Sequence, residues 1–128
     1  MLWYVMLGSA LGGGTRYLLG TFIQTRSGAI FPVGTLVINV TGSLLLGFLV
    51  RYTADSSALS PESRAFLTVG LCGGYTTFST FTYETVRLIQ DGDWPRAGWY
   101  VVLSVVVSLA GAFLGMGLAH QLLELRRR

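Results

Sequence analysis

Apolar residues fill four long stretches of the chain, and short polar segments separate them. A bilayer core about 30 Å thick is crossed by roughly 20 apolar residues in a helix, and each stretch reaches or approaches that length. They predict four transmembrane helices, over residues 2–23, 33–50, 65–89 and 99–118. These spans use nearly the whole chain, so we expect an all-α membrane protein with one four-helix transmembrane domain over residues 1–128.

The segments between the spans contain the residues that turns and helix starts require. The first, Gln24 to Phe31, is followed by Pro32, whose fixed φ suits the first turn of a helix. The longest, Arg51 to Arg64, contains Ser60-Pro61-Glu62, a sequence typical of a helix start. No segment is long enough to separate two domains.

The centre of the third span is rich in residues that break helices or form hydrogen bonds. Its sequence is Gly70-Leu-Cys-Gly-Gly-Tyr-Thr-Thr-Phe-Ser-Thr-Phe81. Backbone groups that are freed inside a bilayer meet no water, so such a break persists only where it is buried in protein or lines a polar passage. We therefore expect the third helix to be broken at mid-membrane, beside a path for an ion or substrate.

Composition agrees with the membrane class and limits the chemistry. Hydrophobic residues make up 52% and charged residues 12% of the chain, which is too apolar for a soluble domain of this length. The single Cys72 excludes an intrachain disulfide and a cysteine metal cluster. No Ser-His-Asp, Cys-His or metal-ligand set is present, so we expect no enzyme. The net charge of +3 comes from arginines at helix ends, which are ordinary membrane flanks and do not indicate nucleic-acid binding.

Arginines are almost evenly divided between the two ends of such a bundle. Alternating helices place Arg51, Arg64, Arg126, Arg127 and Arg128 on one side, and Arg16, Arg26, Arg87 and Arg96 on the other. Because cationic residues that flank spans fix orientation, this near tie is compatible with insertion both ways and with an antiparallel homodimer. The alternative is that the C-terminal arginine triplet fixes one orientation, and the charges alone do not decide.

Polar side chains inside the second and fourth spans are candidates for lining a path. Thr35 and Asn39 lie four residues apart on one helix face. A buried amide needs partners, so Asn39 either links helices or donates into a pore. Tyr100, Ser104 and Ser108 place three hydroxyls in one stripe. This stripe is either a hydrogen-bonding track or a set of hydroxyls that bond to their own helix.

Acidic residues and histidine are expected to be absent from the middle of the spans. Glu84 lies about a turn and a half before the end of the third span, and His120 lies at the end of the fourth. Proton-coupled transport usually needs a titratable group inside the membrane. A passive channel is therefore favoured, and a small secondary transporter, such as a four-helix drug antiporter, stays the alternative.

Three stretches resemble the signature sequences of the Fluc (CrcB) family of bacterial fluoride channels. They are Gly12-Gly-Gly-Thr-Arg16-Tyr, Gly34-Thr-Leu-Val-Ile-Asn39-Val-Thr-Gly-Ser43 and the central run of the third span. Their order, spacing and placement match, and the resemblance covers all four spans. It implies an antiparallel, dual-topology homodimer in the bacterial inner membrane, which passively exports fluoride through two pathways.

The resemblance also assigns roles to single residues. Arg16 matches an arginine near a pore mouth, with snorkelling as the alternative, and the carbonyls of Gly73 and Thr76 match a structural Na⁺ site on the dimer axis. Neutral donors suit fluoride, because a selective path must replace its water and still release it. Two phenylalanines three residues apart offer electropositive ring edges, although packing against lipid is their ordinary role. The matched pore positions are Asn39, Phe78, Phe81, Tyr100, Ser104 and Ser108, with Thr35 and Thr80 nearby.

Overall fold

The computed structural model describes residues 1–54 and 59–127 and contains helices and no strand within them. The long helices are α1 (Leu2–Ser27), α2 (Val33–Ala54) and α6 (Trp94–Arg127). A segmented element lies between α2 and α6. It consists of α3 (Pro61–Ala65), a π-helix (Phe66–Cys72), α4 (Gly73–Tyr75) and α5 (Phe78–Gln90). The all-helical fold predicted from the sequence is confirmed.

Two of these helices, α2 with 22 residues and α6 with 34, are long and apolar enough to cross a membrane. Only 22% and 17% of their most apolar windows are buried within the chain. Most of their apolar surface is therefore left for lipid or for another protein surface. The predicted spans 2–23 and 65–89 fall on α1 and on the segmented element, and their crossing of a membrane stays a prediction.

Helix ends follow from local sequence. Gly28 adopts a left-handed conformation, with φ 58°, and its N–H donates to the Gln24 carbonyl at 3.3 Å, which ends α1. Ser60 accepts a hydrogen bond from the Ser63 N–H at 3.2 Å, and Pro61 follows as the first residue of α3. The helix start predicted at Ser60-Pro61-Glu62 is thus confirmed.

The segmented element leaves the helical conformation at Thr76 and Thr77. Thr76 has φ −80° and ψ 160°, and Thr77 has φ −153° and ψ 117°, so both are extended. The Thr77 hydroxyl then accepts a hydrogen bond from the Thr80 N–H at 3.2 Å, which starts α5. A break therefore occurs in the predicted stretch, and its depth in a membrane stays a prediction.

Glycines allow the helices to touch backbone to backbone. A Cβ at Gly12 would lie 2.2 Å from the Leu71 carbonyl oxygen, which brings α1 against the segmented element. A Cβ at Gly115 would lie 2.0 Å from the Leu44 carbonyl oxygen, so α6 approaches α2 equally closely. Small residues at helix crossings are the usual means of close packing in membrane bundles.

We predict that Gly115→Ala destabilises the fold, because its methyl group has no room against the Leu44 carbonyl. Overpacking of this kind costs about 1–3 kcal/mol, so the unfolding midpoint in detergent should fall by about 5 °C. Gly117→Ala on the same helix is the matched control, since no described atom lies within 4 Å of its Cβ. Equal midpoints for the two variants would contradict the close approach.

Candidate ion pathway at the helix break

Asn39 of α2 holds the break through both groups of its side-chain amide. Its Oδ1 accepts a hydrogen bond from the Thr77 N–H at 2.8 Å, and its Nδ2 donates to the Thr77 carbonyl at 3.0 Å. Both backbone groups lack helical partners because Thr77 is extended, and buried backbone groups require partners. Asn39 thus links two helices, and this bond uses one of its two amide hydrogens.

Arg16 reaches the same break from α1. The side chain is half-buried, and its Nη1 donates to the Thr76 carbonyl oxygen at 3.2 Å. The guanidinium therefore has a partner inside the protein, which favours a place beside the break, and the role of Arg16 at a pore mouth stays a prediction. Without Arg16, the described arginines that flank the spans are four at one end of the bundle and three at the other. They are Arg51, Arg64, Arg126 and Arg127 at the first end, and Arg26, Arg87 and Arg96 at the second. Arg128 lies outside the described residues.

The break and α6 together line an open groove of about 270 Å³. Most of the side chains that were predicted to line a pore meet here, although they come from three separate elements. Thr76, Thr77 and Ser43 complete its polar lining. The predicted pore residues in this groove are Asn39, Phe78, Phe81, Ser104 and Ser108.

Two hydroxyls in this groove have unused hydrogen-bonding capacity. The Oγ atoms of Ser104 and Ser108 are buried and have no hydrogen-bond partner within residues 1–54 and 59–127. Serines in helices commonly bond to the preceding turn, and these two do not. An unpaired buried hydroxyl costs about 1–3 kcal/mol, so these two groups in one groove are candidates for binding a molecule from outside the described chain.

Glu84 connects α2, α5 and α6. Its Oε1 accepts a hydrogen bond from the Thr35 hydroxyl at 2.8 Å, and its Oε2 accepts one from the Tyr100 hydroxyl at 2.6 Å. Glu84 was not among the predicted site residues because it lies near the end of a predicted span, yet it contacts two of them, Thr35 and Tyr100. Phe78, Phe81 and Glu84 follow one another at intervals of three residues, and this spacing could have indicated that Glu84 shares their helix face.

Four aromatic rings form a continuous row beside the groove. Ring centroids lie 5.5 Å apart for Phe78 and Phe81, 5.2 Å for Phe81 and Tyr100, and 5.4 Å for Tyr100 and Phe31. The row begins at Phe78, which is 78% exposed, and reaches Tyr100, which is 0% exposed. Phe31 lies in the α1–α2 connection, and sequence reasoning did not include it.

A second open cavity, of about 500 Å³, lies among α1, α2 and α5. Its lining includes three predicted residues that the groove lacks, Arg16, Thr35 and Thr80, together with Glu84. Tyr100, which was also predicted to line a pore, lines neither cavity and reaches this one only through its bond to Glu84. Thr80 accepts a hydrogen bond from the Thr77 hydroxyl at 3.0 Å. Thr77 lines both cavities, so the segment that Asn39 holds forms the wall they share.

The carbonyls predicted to hold Na⁺ belong to Gly73, the first residue of α4, and to Thr76, which directly follows α4. Gly73 is exposed, and no described atom lies within 4 Å of an added Cβ. The Thr76 carbonyl accepts the bond from Arg16 and keeps a second lone pair. In the part of the chain that the structure describes, no three His, Cys, Asp or Glu side chains form a metal site. A cation here would therefore use backbone oxygens.

This architecture is that of a helical membrane protein with a polar groove beside a break in one of its helical elements. The chain belongs to the CrcB family, because the family model described as "CrcB-like protein, Camphor Resistance (CrcB)" matches residues 3–116. The recognition made from three signature stretches is confirmed.

Similar curated proteins cover almost the same length. One from Roseiflexus sp. strain RS-1 is 42% identical over 118 residues, which is 92% of this chain and 95% of that protein. One from Syntrophotalea carbinolica is 46% identical over 119 residues, or 93% of this chain and 97% of the relative. One from Paramagnetospirillum magneticum is 49% identical over 113 residues, covering 87% and 88%. Each is named "Fluoride-specific ion channel FluC".

We predict that Asn39→Leu destabilises the helix break, since it leaves the Thr77 N–H and carbonyl without their partners. Each unpaired buried group costs about 1–3 kcal/mol, so the thermal midpoint in detergent should fall clearly. Ser43→Ala is the control, because Ser43 lines the same groove from the same helix. Should both variants unfold at the wild-type temperature, the amide would have no role in holding the break.

Proposed function

We propose that this protein is a fluoride-specific ion channel that lets fluoride leave the bacterial cytoplasm down its electrochemical gradient. The names of the relatives support this, because the alignments with these relatives cover about nine-tenths of the chain. The observation that carries the proposal is that the Ser104 and Ser108 hydroxyls, which share a groove with Asn39, have no partner among the described residues. Fluoride is small and strongly hydrated, so hydroxyl and amide donors replace its water.

The donors in the groove are neutral, which favours passage over trapping. Ser104, Ser108 and the free amide hydrogen of Asn39 attract an anion without a full positive charge, so release stays fast. The rings of Phe78 and Phe81 are tilted by 49° to one another, and we assign their electropositive edges to the anion. Tyr100 and Thr35 take part through Glu84, and Thr80 and Arg16 line the adjoining cavity.

Glu84 keeps a second candidate function open. Passive flux was expected because no titratable group was predicted near the path. Glu84, however, contacts two candidate path residues, Thr35 and Tyr100. Intramembrane carboxylates commonly couple transport to protons, so a proton-coupled fluoride transporter is the alternative. In the channel, both carboxylate oxygens serve as acceptors that fix the Thr35 and Tyr100 hydroxyls.

We predict passive flux with strong preference for fluoride. Purified protein in liposomes should release fluoride down its gradient and release chloride far more slowly. Hydroxyl and amide donors form stronger hydrogen bonds with the smaller fluoride ion than with chloride, and this gain must exceed the larger dehydration cost of fluoride. An imposed proton gradient should not drive fluoride uphill. Uphill movement would contradict the channel and support the coupled transporter.

The same assay tests the ring edges. Phe81→Ile keeps an apolar side chain but removes the aromatic electrostatics, so fluoride efflux should slow while assembly is retained. The matched control is Phe113→Ile, because Phe113 is exposed on α6 and outside both cavities. Equal flux for the two variants would contradict a role of the Phe81 ring in fluoride passage and would indicate that Phe81 only packs.

We further propose that four spans from each of two antiparallel subunits make the functional unit, a dual-topology homodimer in the inner membrane. One chain leaves the groove open on one side and Phe78 largely exposed. If the groove carries an anion, its open side needs a cover other than lipid, because lipid tails offer no partners to its polar groups or to the ion. The four described arginines at one end and three at the other favour neither orientation strongly.

The prediction for topology is that both orientations occur in one membrane. In a Cys72→Ser background, a cysteine added at one terminus should be labelled by a membrane-impermeant reagent for about half of the molecules from each side. Complete labelling from a single side would contradict dual topology.

We also propose that Gly73 and Thr76 hold a structural Na⁺ through their backbone carbonyls. Gly73 is open to a second subunit, and the Thr76 carbonyl has one lone pair beyond its bond to Arg16. Two chains would supply four oxygens, the atoms that hard cations prefer. Protein purified without sodium should lose thermal stability and regain it on addition of sodium. No change in either step would contradict the site.

A further inference from the structure

We propose that Gln24 is a positioning residue for the site, and that it acts through Phe31 on Tyr100 and Glu84. Gln24 lies on α1 before the turn, and no motif singles it out. The inference rests on the proposed function, because its main readout is fluoride flux.

The Gln24 amide makes three hydrogen bonds across the α1–α2 connection. Its Nε2 donates to the carbonyls of Ala29 at 2.7 Å and Phe31 at 3.2 Å. Its Oε1 accepts from the Gly34 N–H at 3.0 Å. The amide therefore uses both hydrogens and its oxygen on backbone groups that the turn and the first turn of α2 leave without helical partners.

Close packing leaves this arrangement little freedom. A Cβ at Gly34 would lie 2.5 Å from the Gly20 carbonyl oxygen and 3.3 Å from the Gln24 Cβ. The start of α2 is thus pressed against α1 at the point where Gln24 binds it. A side chain at position 24 that cannot form these bonds removes the Gln24 partner from the Ala29 carbonyl and the Gly34 N–H in a tight space. The Phe31 carbonyl then keeps only its bond from the Val33 N–H, at 2.8 Å, so Gln24 no longer helps to fix its position.

Phe31 carries this constraint to the site. Its carbonyl is held by Gln24, and its ring lies 5.4 Å from that of Tyr100 at an angle of 37°. The Tyr100 ring also lies 5.2 Å from the Phe81 ring, centroid to centroid. The hydroxyl of Tyr100 donates to Glu84, so a shift of Phe31 changes the fixed direction of that bond.

A purely structural link in a turn makes a different prediction from a positioning role. If Gln24 only stabilised the turn, its effect on flux would be independent of Tyr100, and the fold-changes would multiply. If it acts through Tyr100, removing the Tyr100 hydroxyl removes most of what Gln24 controls. Double-variant cycles separate these cases.

The experiment compares initial fluoride efflux from liposomes for Gln24→Met, Tyr100→Phe and the double variant, at equal amounts of assembled protein. Methionine keeps the length of the side chain and loses all three hydrogen bonds. We expect Gln24→Met alone to slow efflux by about tenfold, and by less than about twofold in the Tyr100→Phe background. Gln121→Met is the control for the substitution, since Gln121 is exposed on α6, and it should keep wild-type flux.

Phe31→Leu provides the second route, because it leaves the Phe31 carbonyl in place and removes the ring. Phe31→Leu should slow efflux, and its effect should be non-additive with that of Tyr100→Phe. If Gln24→Met does not assemble, this second cycle tests whether the link through Phe31 to Tyr100 exists. Wild-type flux in Phe31→Leu, or multiplied effects in either cycle, would overturn the inference. Absence of fluoride flux in the wild-type protein would instead overturn the proposed function, and thermal midpoints of the same variants would then decide the positioning link.

Discussion

The central constraint is that a helix broken at Thr76 and Thr77 must find partners for its backbone. Asn39 pairs with the Thr77 N–H and carbonyl, and Arg16 donates to the Thr76 carbonyl. These bonds come from two other helices, so the position of the break fixes how α1 and α2 lie against the segmented element. Glycines at the crossings make this possible, since Gly12 and Gly74 admit backbone contact there.

The site results from the contrast between satisfied and unsatisfied polar groups. At the break, each described threonine backbone group has a partner, which makes the wall between the two cavities rigid. On α6, the hydroxyls of Ser104 and Ser108 have none among the described residues. Rigid surroundings keep the hydroxyls from finding partners by rearrangement, and this leaves the hydrogen-bonding capacity that we propose the anion uses. The network of Thr35, Glu84 and Tyr100 fixes the adjoining cavity in the same way.

Features within one helix could be predicted from the sequence, and features that depend on packing could not. The break follows from its glycines and threonines, and the stripe of Tyr100 and two serines follows from a spacing of four. By contrast, Thr35 meets Glu84 across 49 residues and Arg16 meets Thr76 across 60. The spacing of residues within a helix gives no information on contacts between residues so far apart in the sequence, so the contacts of Glu84 were not predicted. Phe31 was not included because it lies outside the predicted spans.

The most direct test of the account is the fluoride efflux rate of protein carrying both Ser104→Ala and Ser108→Ala. These hydroxyls have no partner in the described chain, so their removal should leave the thermal midpoint unchanged or raise it. The account predicts that efflux nevertheless slows by at least about tenfold, because the ion loses two donors. Wild-type efflux from this variant, with assembly intact, would contradict the claim that the unpaired hydroxyls serve the anion.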